Sequence, residues 1–169
     1  MIEVADDALR TQPYTQVQMR DLAAAAGVAL ATLYRYFPSK ESLYLEVLQV
    51  WSAEHRTEID DTDGSPVERI RHRVALVLDA FTARPELFVL QQVLTASPDP
   101  QIRAGIADYQ QVNASWASRE LSAIGGDDGP LIVEMYWAVL TSAMSSPTTR
   151  RRVVERFLDL IAPLLHEAG

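Results

Sequence analysis

The side chains best suited to chemistry lie close together. Tyr34, Arg35, Tyr36 and Lys40 place two phenols, a guanidinium and an ammonium within a few consecutive positions. Phosphate and sugar oxygens accept hydrogen bonds from such groups, and a guanidinium can also make two parallel bonds to a guanine edge. The surrounding sequence favours a polyanion as partner. From Leu22 to Lys40 there is no Asp or Glu, although the 169-residue chain carries a formal net charge of -8. Glu54 to Asp63, in contrast, holds five acids and one arginine. An acidic total opposes indiscriminate binding to nucleic acid but leaves room for a local site.

Other chemistry is poorly provided for. The chain has no cysteine, hence no thiol nucleophile or disulfide, which fits a cytoplasmic protein. His55, His72 and His166 are far apart, with no metal-ligand spacing between any two, and there is no glycine-rich phosphate loop. No catalysis, cofactor or metal is expected. No apolar run approaches the length of a membrane span. Met1 to Asp7 has neither the basic nor the apolar region of a signal peptide.

The elements that position the cluster follow from apolar spacing and from proline and glycine. Val, Ile and Thr fall almost always at helical intervals, so the expected fold is all-α with about nine helices. Ile2, Ala5 and Leu9 share one face of a first helix that Pro13 ends. Thr15 is a candidate N-cap, with Gln18 as its capping-box partner, for a second helix from about Gln16 to Ala25. Met19, Leu22 and Ala26 form its inner side, and Gly27 stands where a left-handed residue is wanted. A third helix spans Leu30 to Tyr36, with Leu33 and Phe37 inward, and Pro38 stops it. Ser39 caps a fourth helix carrying Leu43, Val47, Val50 and Trp51. A linker covers Asp60 to Pro66. Helices follow from Ser65 to before Pro85, over Glu86–Thr95, Asp99–Ile124, Leu131–Ser145 and Thr148–Glu167.

Helix, glycine turn and short second helix make a helix-turn-helix. Asp21-Leu22-Ala23-x-x-Ala26-Gly27-Val28-x-x-x-Thr32-Leu33-Tyr34-x-Tyr36-Phe37-x-Ser39-Lys40-Glu41-x-Leu43 resembles the N-terminal signature of the TetR family of bacterial transcriptional regulators. The resemblance covers residues 14 to about 48. It implies DNA contacts by Tyr34, Arg35 and Tyr36, by Thr32 at the front of the recognition helix, and by Lys40 on a phosphate. Thr15 and Gln18 would clamp the opposite backbone. The sequence departs from the family at Ala29, which cannot cap with its side chain, and at Leu30, where a polar residue is usual. Leu30 or Ala31 would instead meet thymine methyl groups. The Val-Ala-Leu form resembles members controlling steroid or fatty-acid catabolism.

The remainder divides into two expectations. Trp51, Phe88, Tyr109, Trp116 and Tyr136, with Gln92 and Asn113 from the amides Gln91, Gln92, Gln110 and Asn113, would line a mostly apolar effector pocket. Leu131, Met135, Val139, Phe157, Ile161 and Leu164 are more apolar residues than one inner face requires, and the resemblance implies that they form a homodimer interface. The expected organisation is a DNA-binding domain over residues 1–45 and an effector-binding and dimerisation domain over 46–169. The expected protein is a ligand-responsive repressor of a palindromic operator. The alternative is a helical interaction module whose helix-turn-helix no longer binds DNA.

Overall fold

The computed structural model describes residues 1–56, 65–125, 129–146, 148 and 150–163. Among these residues there is no strand. The helices are α1 (Ile2–Thr11), α2 (Met19–Ala25), α3 (Leu30–Tyr36), α4 (Lys40–Arg56), α5 (Pro66–Ala83), α6 (Pro85–Thr95), α7 (Pro100–Gly125), α8 (Gly129–Ser145) and α9 (Arg150–Ile161), with a 3-10 turn at Tyr14–Gln16. Most of the linker expected over residues 60–66 lies outside the described residues, as do residues 164–167, where the last helix was expected to continue.

Two compact units divide the chain. The first comprises Met1–His55 and Arg84–Gln110, the second Arg56–Ala83 and Gln111–Gly169. In the first unit, α4 presents Leu43, Tyr44 and Leu48 at 0% exposure, with Val47 and Trp51 also buried. Ala5 and Leu9 of α1, Met19 and Leu22 of α2, and Leu33 of α3 are buried in the same unit. Val50, expected on the buried stripe of α4, is 39% exposed. The inward turn of that helix is taken by Tyr44 and Leu48 instead, one helical turn apart.

The helix-turn-helix closes by a short set of main-chain bonds. Gly27 takes φ +67°, a conformation that glycine adopts without the steric penalty of a Cβ. Its N–H donates to Ala24 O (3.1 Å), and Val28 N–H donates to Ala23 O (3.0 Å). These are the paired bonds that end a helix at a left-handed residue. α3 then begins after Ala29, whose side chain makes no capping bond.

The start of α2 differs from the sequence expectation. Thr15 does not cap it. The N–H groups of Gln16 and Val17 donate to Pro13 O and Tyr14 O (2.9 and 3.3 Å), making the 3-10 turn. Val17 is then extended (φ -65°, ψ 130°) and 1% exposed. Burying a valine is worth about 1.5–3 kcal/mol, more than the ~1 kcal/mol typical of a threonine cap. The helix therefore starts later, at Met19, with Gln18 at the N-cap and no side-chain bond there.

In the second unit, Ile70, Val74 and Leu78 of α5 pack with Tyr136, Leu140 and Ala143 of α8 and Phe157, Leu158 and Ile161 of α9. Phe157 and Ile161, expected at a dimer interface, are thus 2% and 1% exposed in the unit's own core. The physical reason is register: α9 turns its Phe157, Leu158 and Ile161 side inward, which leaves Leu160 63% exposed.

α4 is capped as expected, with a partner that was not. Ser42 N–H donates to Ser39 Oγ (3.0 Å) and Ser39 N–H to Ser42 Oγ (3.1 Å). Ser39→Ala should lower the unfolding free energy by about 0.5–2 kcal/mol, measured by urea denaturation. Unchanged stability would show that this cap contributes nothing.

Candidate nucleic-acid interface

α3 buries Leu33 and turns most other side chains to solvent. Leu30 is 38% exposed, Tyr34 45% and Tyr36 60%. Ala31 and Arg35 are exposed too, and Thr32 is half-buried. Leu30, Tyr34 and Tyr36 are thus large apolar and aromatic side chains left in solvent on one short helix. The Arg35 guanidinium lies 5.3 Å from the Tyr36 ring centroid, within cation–π range. That stacking keeps the guanidinium beside the ring with its donors available. Thr15 and Gln18 are exposed on the segment leading into α2.

Lys40 is differently placed from the free phosphate ligand that the sequence implied. It is half-buried, and its Nζ donates to Tyr14 O (2.9 Å) and Val17 O (3.1 Å). It also sits 4.2 Å from the Tyr14 ring centroid. An ammonium has three donors, so two are used within the protein. Burial lowers the Lys40 pKa, and the Glu41 carboxylate opposes the shift. No side-chain pattern signals this, because the two acceptors are main-chain carbonyls more than twenty residues away.

Tyr44 completes the local network. Its ring meets Tyr14 edge-on, 5.3 Å between centroids, and its hydroxyl donates to Ala5 O (3.1 Å). Burial raises its phenol pKa, with Tyr14 and Asp6 adding to the shift. Burial likewise pushes Tyr14 up to about 12, with a contribution from Glu41. In the same unit Arg84 Nη2 donates to Asp6 Oδ1 (2.6 Å) and Arg84 also pairs with Glu86, which ties α1 to the start of α6.

The expected pocket residues fall on different units. In the first, Trp51 and Tyr109 are buried and Phe88 is half-buried, while Gln92 is exposed. Its neighbour Gln91 takes the inner position at 4% exposure. Trp51 lines a cleft of about 270 Å³ with Ile2, Val50, Asp6, Glu54 and Arg84. In the second unit Asn113 is half-buried, and Tyr136, 2% exposed, is part of the packed core. Met135 and Val139 are half-buried. The side chains of Trp116 and Leu131, and all of Leu164, lie outside the described residues. Among the described residues no helix is long and apolar enough to cross a membrane, and no three metal-ligating side chains cluster.

A helix closed by a glycine turn, followed by a short helix with an exposed, acid-free face, defines a helix-turn-helix protein. Comparison with known proteins agrees. Residues 1–47 match the family model described as bacterial regulatory proteins, tetR family. An uncharacterised HTH-type transcriptional regulator of Mycobacterium tuberculosis is 27% identical over 177 residues, covering 96% of this chain and 84% of that protein. The HTH-type transcriptional repressor KstR of Rhodococcus jostii is 41% identical over 70 residues, 41% of this chain and 31% of that protein. The fold is similar to a crystal structure of a TetR transcriptional regulator from a Rhodococcus species (TM-score 0.73, 21% identity, 99% and 94% of the two chains). It is also similar to the regulator FadR of Bacillus subtilis, solved with stearoyl-CoA (TM-score 0.70, 16% identity, 96% of each chain). Residues 1–47 thus match a TetR-type helix-turn-helix domain, and the chain shares its fold with those regulator structures.

The raised Tyr14 pKa fixes the sign of one pH dependence. Its stabilising contribution is present below pH 10, the ordinary tyrosine value, and is lost as pH rises toward about 12. Thermal melts between pH 9 and 12 should show a falling midpoint across that window, and Tyr14→Phe should make the fall shallower. An equally steep fall in the variant would contradict the assignment.

Proposed function

We propose that this chain binds a palindromic operator as a homodimer and represses transcription until a small, largely apolar effector releases it. The observation that carries the reading is the α3 face, where Leu30, Ala31, Tyr34, Arg35 and Tyr36 are exposed on a stretch without a carboxylate. Phosphate contacts would come from the Tyr34 and Tyr36 hydroxyls and from Thr15, Gln18 and Thr32, which fix register without reading sequence. Lys40 adds at most one donor to that set. Arg35 carries the side chain best suited to direct base readout, and Leu30 and Ala31 are apolar enough to meet thymine methyl groups.

Few base-reading groups per head make dimer geometry the second source of specificity. Two heads related by a two-fold axis would meet major grooves about 34–36 Å apart, or a multiple of that distance. Residues 1–45 would serve as the reading domain and 46–169 as the effector-binding and dimerisation domain. The exposed Leu160 and the half-buried Met135 and Val139 suit a dimer contact better than Phe157 and Ile161, which the core already occupies.

The repressor named KstR and the FadR structure with stearoyl-CoA support repression and an apolar, acyl-like effector. Phe88, Tyr109 and Trp51 supply apolar surface in the first unit. Among the described residues the Gln91 side-chain oxygen accepts no hydrogen bond although buried, and an effector's donor would satisfy it. Release requires that the effector prefer the geometry that does not fit DNA.

Arg35→Ala is the test. The variant should keep the wild-type helical spectrum and dimer mass and lose sequence-selective binding, with operator affinity down by about ten-fold or more, since one good base contact is worth about 1–3 kcal/mol per half-site. Retained selectivity in the variant would overturn the reading.

A further inference from the structure

Lys40 is the first residue of α4, which starts four positions after the end of α3. Its ammonium reaches back more than twenty residues to the turn before α2, bonding Tyr14 O and Val17 O at 2.9 and 3.1 Å. The Tyr14 ring lies against the same ammonium, and Tyr14 in turn packs on the fully buried Tyr44. The segment so held, from Tyr14 to Gln18, has no side-chain cap of its own at either of its two helical starts. It carries the exposed Thr15 and Gln18.

We infer that Lys40 is a positioning residue for operator binding: its ammonium ties the lead-in to α2 onto the start of α4, and so fixes the distance between Thr15 and Gln18 on one side of the groove and α3 within it. The inference rests on the regulator reading above. A lysine spent on two internal carbonyls and an aromatic face is held in one place. To act as a full phosphate clamp it would have to give up both bonds, and Tyr14 O would keep only the Val17 N–H of the 3-10 turn. Its charge therefore contributes little to counterion release, while its geometry sets where neutral donors meet the backbone.

Salt dependence separates the two roles. A lysine that neutralises a phosphate lowers the slope of log affinity against log salt by about 0.9 per site when removed, hence by about 2 for a two-fold complex. Lys40→Met should weaken operator binding ten-fold or more and leave that slope within about 0.5 of the wild-type value. In the DNA-free protein the same variant should speed amide exchange across residues 16–22 by ten-fold or more, with α8 and α9 unchanged. A slope reduced by about 2, unaltered affinity, or unaltered exchange over residues 16–22 would each overturn the inference and leave the regulator reading standing. A wild-type protein without selective binding would instead overturn that reading, and the inference with it.

Discussion

Everything the reading head does depends on how a chain of about fifty residues holds a loop-rich segment rigid against α4. Tyr44 is the centre of that arrangement. Its ring is fully buried, its edge contact holds Tyr14, and its hydroxyl is bonded to a main-chain carbonyl of α1. A small unit buries proportionally less surface than a large one. It therefore relies on such polar bonds to choose among arrangements that packing alone leaves close in energy. Leu43, Val47 and Leu48 supply the apolar term around Tyr44. Tyr44 and Lys40 then supply direction, each bonding a main-chain carbonyl of a segment remote in sequence.

The same economy shapes the surface that faces outward. α3 has seven residues, and only Leu33 is buried. Propensity cannot hold so short a helix, since isolated helices of this length are marginal in water. Its stability is borrowed from the turn at Gly27 and from the Leu33 anchor. The outer face is thereby released from any structural duty and can carry Tyr34, Arg35 and Tyr36 in the open. Arg35 resting on Tyr36 presents a charged group with fewer rotamers to lose on binding than a free arginine has.

Much of this was legible in the sequence, for physical reasons that differ from place to place. The bounds of α3 were, because Gly27 and Pro38 are hard punctuation and the apolar spacing between them leaves one inward residue. The Ser39 cap was too, because a serine after proline at a helix start has few other uses. Thr15 misled because capping chemistry is local, whereas the burial of Val17 is decided by residues remote in sequence. Val50, Gln92, Phe157 and Ile161 meet one common limit of the sequence. Helical periodicity shows that an apolar or polar stripe exists, and a rotation of one position decides which member points inward. Gln91 rather than Gln92 is buried, and Leu160 rather than Ile161 is exposed. Lys40 was the least legible residue of all, since its main-chain acceptors leave no trace in side-chain identity.

The central claim is that paired copies of α3 read DNA as an inverted repeat. Selection from a fully randomised duplex library with the purified wild-type protein tests it most directly, with the bound complex sized in the same experiment. The account predicts enrichment of one inverted repeat, its half-sites centred about 34–36 Å apart or a multiple of that, bound by two chains or a multiple of two. A library that emerges unenriched, or a single unrepeated site occupied by one chain, would contradict it.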